Sequence, residues 1–450
     1  MAVVPRNIRA ELVPMLRLAA PLALAELGWM TMGIVDTIMA GRLGAAALGA
    51  GSLGNMLIYP VAICGTGMLL GMDTLVAQAH GARDHMDARR TLINGVWLGL
   101  AVSPLVALAI LSLIPVLRAA GTNPHVMTLL APYMMAQVWG MPGLMLFAAF
   151  RRYLPAVGFV KPVMFVLVSA NLVNLAGNWA LMFGHWGAPA LGLEGSGLST
   201  SIARTYMAAF LLGAIVWHER RTGNRLFHIS WRPALEGMRR LAFLGLPAAG
   251  QILFEGAVFG IVTALAARLD EVSLAAHSIA VQVIATTYMV PLGISSAAAV
   301  RVGHAIGRRD RASAATAGWT ALLFSGAFMS VAGIALWTAP HWIAHLFIRE
   351  SAVVALGATL LRIAALLELF DGFQAVATGA LRGLGDTRSP MLAHLAGYWI
   401  IGLPVTYVLC FPLGWGVSGI WVGLTSSIVL IGAALVMVWA RRTRMATKSG

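Results

Sequence analysis

The chain has little charge and almost no cysteine. Asp, Glu, Lys and Arg make up 11% of its 450 residues and hydrophobic residues 59%, whereas soluble domains carry about 25% charged residues. So few charges cannot cover the surface of several soluble domains, which excludes an ordinary cytosolic enzyme. The only two cysteines, Cys64 and Cys410, lie in apolar segments, which excludes a disulfide-rich secreted domain and predicts two buried thiols.

The sequence also lacks the short motifs of common catalytic sites. It contains no P-loop, no H-E-x-x-H and no paired-cysteine metal spacing. We therefore predict neither an enzyme nor a cofactor. Without an ATP site, any pumping must draw on an ion gradient or on a partner subunit.

Long apolar stretches dominate the chain instead. Twelve segments of about 20 residues or more, the length that crosses a bilayer, run from 14–40 to 416–440. They predict an all-α polytopic membrane protein with twelve transmembrane helices. The first segment is too long for a signal-peptide core, so we interpret it as a retained span.

Basic residues are distributed unevenly between the predicted loops. Most of the 31 Lys and Arg lie in the two tails and in alternate connections, which is the pattern of cytoplasmic loops. This predicts a multi-pass protein with both termini cytoplasmic, and it accounts for the net charge of +14 without nucleic-acid binding. The exceptions are Arg42, Arg118, Arg268 and Arg349 in the other loops and Arg204 and Arg362 within spans.

The two halves of the chain resemble each other. Shifted by 226 positions, residues 40–84 match 266–310 at 13 of 45 positions, and Pro21 matches Pro247. With six spans each, the halves are predicted to be parallel repeats, an arrangement of transporters with sites near the bilayer midplane. The predicted parts are an N-lobe (1–217), a cytoplasmic linker (218–239) and a C-lobe (240–450).

Several acidic residues fall within the predicted spans. A carboxylate at the bilayer centre costs a few kcal/mol on insertion scales, so such residues usually mark a pathway, a relay or a partner. The acids concerned are Glu26, Asp36, Glu255, Glu368 and Asp371, with Asp73 at the cytoplasmic end of span two.

Polar residues of spans five and six complement Asp36. Asn174 and Asn178 are four apart and share a helix face, and Thr200 lies in span six. Their oxygens suit a hard cation such as Na⁺, and the carboxylate could equally hold a proton. The alternative is hydrogen bonding between helices, and spacing alone does not show that these spans meet.

A second acidic group lies in spans seven and ten. Glu368 and Asp371 are three apart on one face, and together with Glu255 they predict a proton-binding or cation-binding cluster. The alternative is pairing with an in-span base, Arg204 or Arg362. Candidate drug contacts are Glu26, Glu368, the flexible Met30, Trp139, and the ring face of Tyr288; ordinary packing is the alternative for the last three.

Four segments carry a family resemblance. P-L-A-L-A-E-L-G-W-M-T-M-G-I-V-D-T-I-M-A-G-R-L-G (Pro21 to Gly44) and G-M-D-T-L-V-A-Q-A-H-G-A (Gly71 to Ala82) resemble the multidrug and toxic compound extrusion (MATE) family, NorM branch. V-G-H-A-I-G-R-R-D in the second half and L-R-G-L-G-D-T-R-S-P-M (Leu381 to Met391) fit as well. The resemblance implies two six-helix lobes that export organic cations against inward Na⁺ or H⁺ flow.

The resemblance also implies roles for particular residues. An N-lobe ion site maps onto Asp36, Asn174, Asn178 and Thr200, a C-lobe site onto Glu255 and Asp371, and an aromatic near bound cation onto Tyr288. Some members have a Tyr one turn before the span-ten Asp, where this chain has Leu367 beside Glu368; this departure argues against a C-lobe Na⁺ site.

The resulting hypothesis is a monomeric, cation-coupled multidrug antiporter of the inner membrane, in contact with lipid and small-molecule drugs. Pro21 and Pro247 are candidate bend points. Two alternatives remain. A lipid-linked precursor flippase would favour a strongly basic central cavity, which the few in-span bases argue against. A membrane scaffold has no need for several acids within its spans.

Overall fold

A computed structural model describes residues 8–222 and 230–446, and all regular structure in that part of the chain is helical. Eight helices precede residue 223 and the others follow residue 229. The bounds of the first eight are α1 Ile8–Arg42, α2 Ala45–Met68, α3 Gly71–Gly81, α4 His85–Ala119, α5 Pro124–Val138, α6 Met141–Ala156, α7 Lys161–Phe183 and α8 Leu193–Arg221. Those of the rest are α9 Leu235–Ala266, α10 Glu271–Gly307, α11 Arg311–Thr338, α12 Pro340–His345, α13 Ser351–Leu384, α14 Arg388–His394, a π-helix Leu395–Gly402, α15 Leu403–Cys410 and α16 Gly416–Ala446.

The structure confirms the predicted fold class. Eleven of the described helical segments are long and apolar enough to cross a membrane, and the bent pair α5 and α6 makes a twelfth. A bend of 47° between α5 and α6 interrupts the fourth predicted span. Pro142 supplies no backbone N–H at the start of α6, and a Cβ on Gly140 would lie 2.7 Å from the Cα of Ser201, so the break also lets α8 approach closely.

Two compact units divide the chain. One contains the described parts of Met1–Ala23, Gly81–Arg83 and Gly250–Gly450, and the other Leu24–His80 and Asp84–Ala249; we call them the C-unit and the N-unit. The division falls inside α1 and inside α9, so the first part of each helix packs with the other half of the sequence. The lobes at 1–217 and 240–450 stay a prediction. The units differ from these lobes because the first part of α1 belongs to the C-unit and the first part of α9 to the N-unit.

Pro21 and Pro247 lie just before the two points of division. Each is inside a continuous helix, α1 or α9. Proline removes one hydrogen bond of the helix and disturbs the preceding turn. Their role as bend points stays a prediction.

The turn after α3 and the turn after α10 share a backbone conformation and a closing hydrogen bond. Arg83 and Arg309 have φ angles of 62° and 60°, a left-handed conformation that is unfavourable for a residue with a Cβ. The N–H of Asp84 donates to Ala79 O and that of Asp310 to Ala305 O, both at 2.9 Å. This is the six-to-one bond that closes a helix C-terminus, and it occurs at equivalent positions of the two repeats.

Each of these aspartates then begins the next helix. The carboxylate of Asp84 accepts from the N–H of Asp87, and that of Asp310 from the N–H of Ser313, both at 2.9 Å. The Ser313 hydroxyl also donates to Asp310. The bonds from the Ser313 hydroxyl and backbone lower the pKa of Asp310 below its ordinary value, because they stabilise the charged form.

We expect Asp310→Ala to lower the stability of the detergent-purified protein by about 1 kcal/mol, because the first turn of α11 loses its cap. Asp310→Asn should stay close to the wild type, since Asn also caps well. The measurement is thermal unfolding at neutral pH. The carboxylate's lowered pKa means that its contribution is present at neutral pH and lost as the pH falls through the lowered value. Equal losses for the Ala and Asn variants would contradict a capping role.

Candidate functional site

The structure brings Asp36, Asn174, Asn178 and Thr200 together within the N-unit. Asp36 lies on α1, the two asparagines on α7 and Thr200 on α8. The Asn178 amide donates to Asp36 Oδ1 at 2.6 Å and to Asn174 Oδ1 at 3.2 Å, and the Thr200 hydroxyl lies 3.4 Å from Asp36 Oδ2. Both asparagines are completely buried. The side chains from spans one, five and six therefore meet, which their spacing in the sequence could not establish.

The hydrogens of this N-unit cluster do not satisfy all of its polar atoms. Thr200 Oγ1 has one hydrogen to donate, and the Ser196 carbonyl at 3.0 Å is nearer than the Asp36 carboxyl at 3.4 Å. Asn178 Oδ1 and Asn174 Nδ2 are buried without a partner among the described residues. A buried polar atom without a partner is costly, so the cluster has capacity for a further ligand or proton.

The C-unit holds Glu255 within a set of neutral donors. Glu255 Oε1 accepts from Gln374 at 3.1 Å and from the Tyr288 hydroxyl at 3.4 Å, and Glu255 Oε2 from Gln251 at 3.5 Å. Gln251 and Glu255 lie on α9, Tyr288 on α10 and Gln374 on α13. Three donors on one carboxyl favour its charged form, although two of these bonds are long.

Asp371 and Glu368 occupy the same face of α13 and are both buried. Gln374, three residues after Asp371, connects that face to Glu255. Glu368 Oε1 lies 2.8 Å from the Thr287 hydroxyl, and its Oε2 is buried without a partner among the described residues. Leu367, where some members of the resembled family have a Tyr, is buried and supplies no oxygen.

The MatE family model matches the chain twice, over residues 21–180 and 247–408. The chain belongs to the MatE family. The double match also agrees with the internal repeat of the sequence.

Relatives similar along nearly their whole length carry the same name. The chain is 36% identical to the "Probable multidrug resistance protein NorM" of Mesorhizobium japonicum, over 98% of this chain and 96% of that protein. It is 37% identical to the "Multidrug resistance protein NorM" of Burkholderia vietnamiensis, over 97% and 95%. MatE proteins of this kind are transporters, so the chain is not an enzyme.

Solved structures share the fold at lower identity. The Vibrio cholerae MATE transporter VcmN in its bent form superposes with a TM-score of 0.87 at 17% identity, over 98% of both chains. A MOP superfamily transporter of Pyrococcus furiosus, described as having a binding pocket of reversed polarity, superposes at 0.86 and 18% identity, over 96% of both. At these identities the likeness shows the fold of a MatE protein and no more.

Within this MatE fold, the predicted drug contacts lie in different surroundings. Glu26 forms an ion pair with Arg151 of α6, and Glu368 is completely buried. A paired or fully buried carboxyl offers a drug no accessible surface in this structure, and drug contacts at Glu26 and Glu368 stay predictions. Trp139 is 78% exposed at the bend between α5 and α6, and Met30 on α1 is partly buried.

Three consecutive residues of α6 each contact an acid on a different helix. Arg151 pairs with Glu26 of α1, and Arg152 pairs with Asp73 of α3 at 3.0 Å. The Tyr153 hydroxyl donates to Glu219 of α8 at 2.8 Å, and Glu219 also pairs with Arg89 of α4 at 2.8 Å. We call this set the α6 ion-pair row. The sequence did not reveal it, because Arg151 and Arg152 follow the predicted fourth span and are expected in a loop.

Some polar neighbours of the acids could have been found in the sequence. Gln251 precedes Glu255 by four residues and Gln374 follows Asp371 by three, so each shares a helix face with its acid. Another group, on α2 and α5, had no such signal: Tyr133 donates to Asn55 at 2.8 Å and Gln137 to Asn55 at 3.3 Å. Among the described residues no group of three His, Cys, Asp or Glu has the arrangement of a metal site.

The Glu26–Arg151 pair can be tested by a double-mutant cycle. Glu26→Gln should lower stability by about 3 kcal/mol, because it leaves the buried Arg151 without its counter-charge. Glu26→Gln with Arg151→Met should recover much of the loss. The measurement is thermal unfolding in detergent, with drug transport of the double variant in vesicles. Additive losses of stability in the double variant would contradict a stabilising ion pair. Loss of transport despite recovered stability would favour Glu26 as a drug contact.

Proposed function

We propose that this protein is a secondary active multidrug efflux antiporter that exports organic cations and related drugs in exchange for Na⁺ or H⁺. The names of its full-length relatives support multidrug resistance. The observation that carries the coupled mechanism is the environment of the acids within the spans. Asp36 in the N-unit and Glu255 in the C-unit accept hydrogen bonds from neutral amide and hydroxyl groups. Either carboxyl can therefore bind a cation or a proton that neutralises its charge.

In the N-unit we propose Asp36, Asn174, Asn178 and Thr200 as the ion site. The residues fit a hard cation, because their side chains supply carboxylate, amide and hydroxyl oxygens and Asn178 Oδ1 is unpartnered. They also fit a proton: a protonated Asp36 could donate to Thr200 Oγ1 while that hydroxyl donates to Ser196. Na⁺ and H⁺ thus compete for one carboxyl.

In the C-unit we propose Glu255 and Asp371 as the ion site, with Tyr288 as the aromatic that contacts a cation. The phenol ring can attract a positive charge while its hydroxyl lies 3.4 Å from Glu255. Met30 and Trp139 remain proposed drug contacts. A flexible thioether and an exposed indole suit ligands of varied shape.

Coupling follows from differential affinity. An ion or a proton on Asp36 or on Glu255 and Asp371 neutralises the negative charge that retains a cationic drug. A ligand can bias the equilibrium of a transporter only by binding one state more tightly than another. Drug and ion would then favour different states through the same carboxyls.

We propose that the protein is a monomer of the inner membrane. Both termini are proposed to be cytoplasmic, in agreement with the asymmetry of its basic residues. A flippase for lipid-linked precursors is the competing function of the same fold. It would require basic groups for an anionic headgroup. The interiors of the predicted spans contain few bases, Arg204 and Arg362, which favours the cation antiporter.

The decisive experiment measures uptake of a fluorescent organic cation into inside-out vesicles under an imposed Na⁺ gradient or an imposed pH gradient. Asp36→Asn and Asp371→Asn should each reduce gradient-driven uptake by about tenfold or more in well-folded protein. Asp84→Asn is the matched control. Asp84 caps α4 outside the proposed ion sites, so this variant should transport normally.

The outcomes separate the alternatives. Uptake driven by Na⁺ alone identifies Na⁺ as the coupling ion, and uptake driven only by pH identifies the proton. If neither gradient moves a cation and both Asn variants resemble the wild type, the antiporter proposal is wrong and the flippase or scaffold is favoured.

A further inference from the structure

The eleventh span contains an unusual helical segment. Between α14 and α15, residues Leu395–Gly402 form a π-helix of eight residues, a conformation that is rare and found frequently at functional sites. Its wide turn packs closely on α16, where a Cβ on Gly397 would lie 2.2 Å from Ile431 and one on Gly402 2.1 Å from Ser427. Glycine at these two positions permits the approach.

The π-helix brings three polar side chains to one side of the span. In an α-helix, residues five apart are separated by about 140° around the axis, whereas the hydrogen bond of a π-helix joins residues five apart. His394 and Trp399 have this spacing, and Tyr398 lies between them. All three reach α9 or α13: His394 contacts Gln251, Tyr398 contacts Gln374, and the Trp399 indole donates to Phe254 O at 3.2 Å.

The hydrogen bonds of His394 determine which nitrogen carries its hydrogen. Nδ1 lies 2.8 Å from the Pro390 carbonyl, which only accepts, so Nδ1 is the donor. Nε2 of the neutral ring is then an acceptor. It faces the Gln251 amide at 3.4 Å and Glu255 Oε2 at 3.8 Å.

Gln251 therefore bridges two acceptors. Its amide has two hydrogens, one for His394 Nε2 and one for Glu255 Oε2 at 3.5 Å. On the other side of the carboxyl, the Gln374 amide lies 3.1 Å from Glu255 Oε1 and 3.2 Å from the Tyr398 hydroxyl. Each carboxyl oxygen of Glu255 thus accepts from a glutamine amide, and each of these amides also contacts a residue of the eleventh span, His394 or Tyr398.

We propose that His394 and Tyr398 are positioning residues for Glu255, acting through Gln251 and Gln374 to orient this carboxyl for the coupling ion. The inference rests on the proposed ion site at Glu255. The two residues are four apart, a spacing that places both on one face of the span. His394 acts as a neutral acceptor throughout, and its role requires no change of charge.

The substitutions at His394 separate its two hydrogen bonds. His394→Asn keeps a donor near Nδ1 for Pro390 but has no acceptor at the position of Nε2, whereas His394→Gln places an amide oxygen there. His277→Gln is the matched control. This second buried histidine of the C-unit contacts Thr263 at 3.0 Å and Trp421 at 3.2 Å and belongs to a different polar group.

The measurement is ion-dependent thermal stabilisation of the purified full-length protein, titrated with Na⁺ at fixed pH and with pH in the absence of Na⁺. We expect His394→Asn to weaken the apparent affinity for the stabilising ion about fivefold, the effect of one lost hydrogen bond. His394→Gln should restore it to about the wild-type value, Tyr398→Phe should weaken it, and His277→Gln should lower the melting temperature without changing the affinity. Drug transport in vesicles is measured in parallel.

Each outcome decides the proposal. It is overturned if His394→Asn binds the ion as the wild type does, if Gln fails to rescue, or if His277→Gln shifts the affinity equally. It is also overturned if the wild type shows no ion-dependent stabilisation, since there is then no ion site to position. If the wild type is stabilised by the ion but moves no drug, the antiporter function fails while the positioning role stands on the affinity data.

Discussion

A carboxyl group in the interior of a membrane protein needs hydrogen-bond donors, and much of this structure is arranged to supply them. Water is absent from the hydrocarbon region, and leaving a polar group there without a partner is costly. Asp36 accordingly contacts amide and hydroxyl groups from two other helices, and Glu255 receives donors from three helices including its own.

The acids fall into two groups according to their partners. Glu26, Asp73 and Glu219 pair with arginines through the α6 ion-pair row or Arg89. Removing either partner of such a pair would leave a buried charge uncompensated. Asp36 and Glu255 instead accept hydrogen bonds from neutral groups, which support more than one state of the carboxyl. This distinction separates helix-stabilising acids from the acids that we propose to exchange ions.

The two repeats preserve their turns and differ in their sites. Arg83 with Asp84 and Arg309 with Asp310 adopt the same left-handed turn and the same cap, because these local bonds depend on a few neighbouring residues. The carboxyl environments have diverged, with asparagines around Asp36 and glutamines, tyrosines and a histidine around Glu255. A duplicated scaffold has thus acquired two chemically distinct polar centres.

The sequence by itself determined the properties that depend on composition, periodicity and local bonds. Low charge and long apolar segments indicated the helical membrane fold, the shift by 226 positions revealed the repeat, and the acids within spans identified the candidate sites. Only the tertiary structure decided which side chains meet. It joined Arg151 to Glu26, broke the fourth span at Gly140, and widened the eleventh span into a π-helix beside Glu255. These features depend on contacts between helices far apart in sequence and on the fit of neighbouring backbones, and neither is encoded in the spacing of residues along one helix.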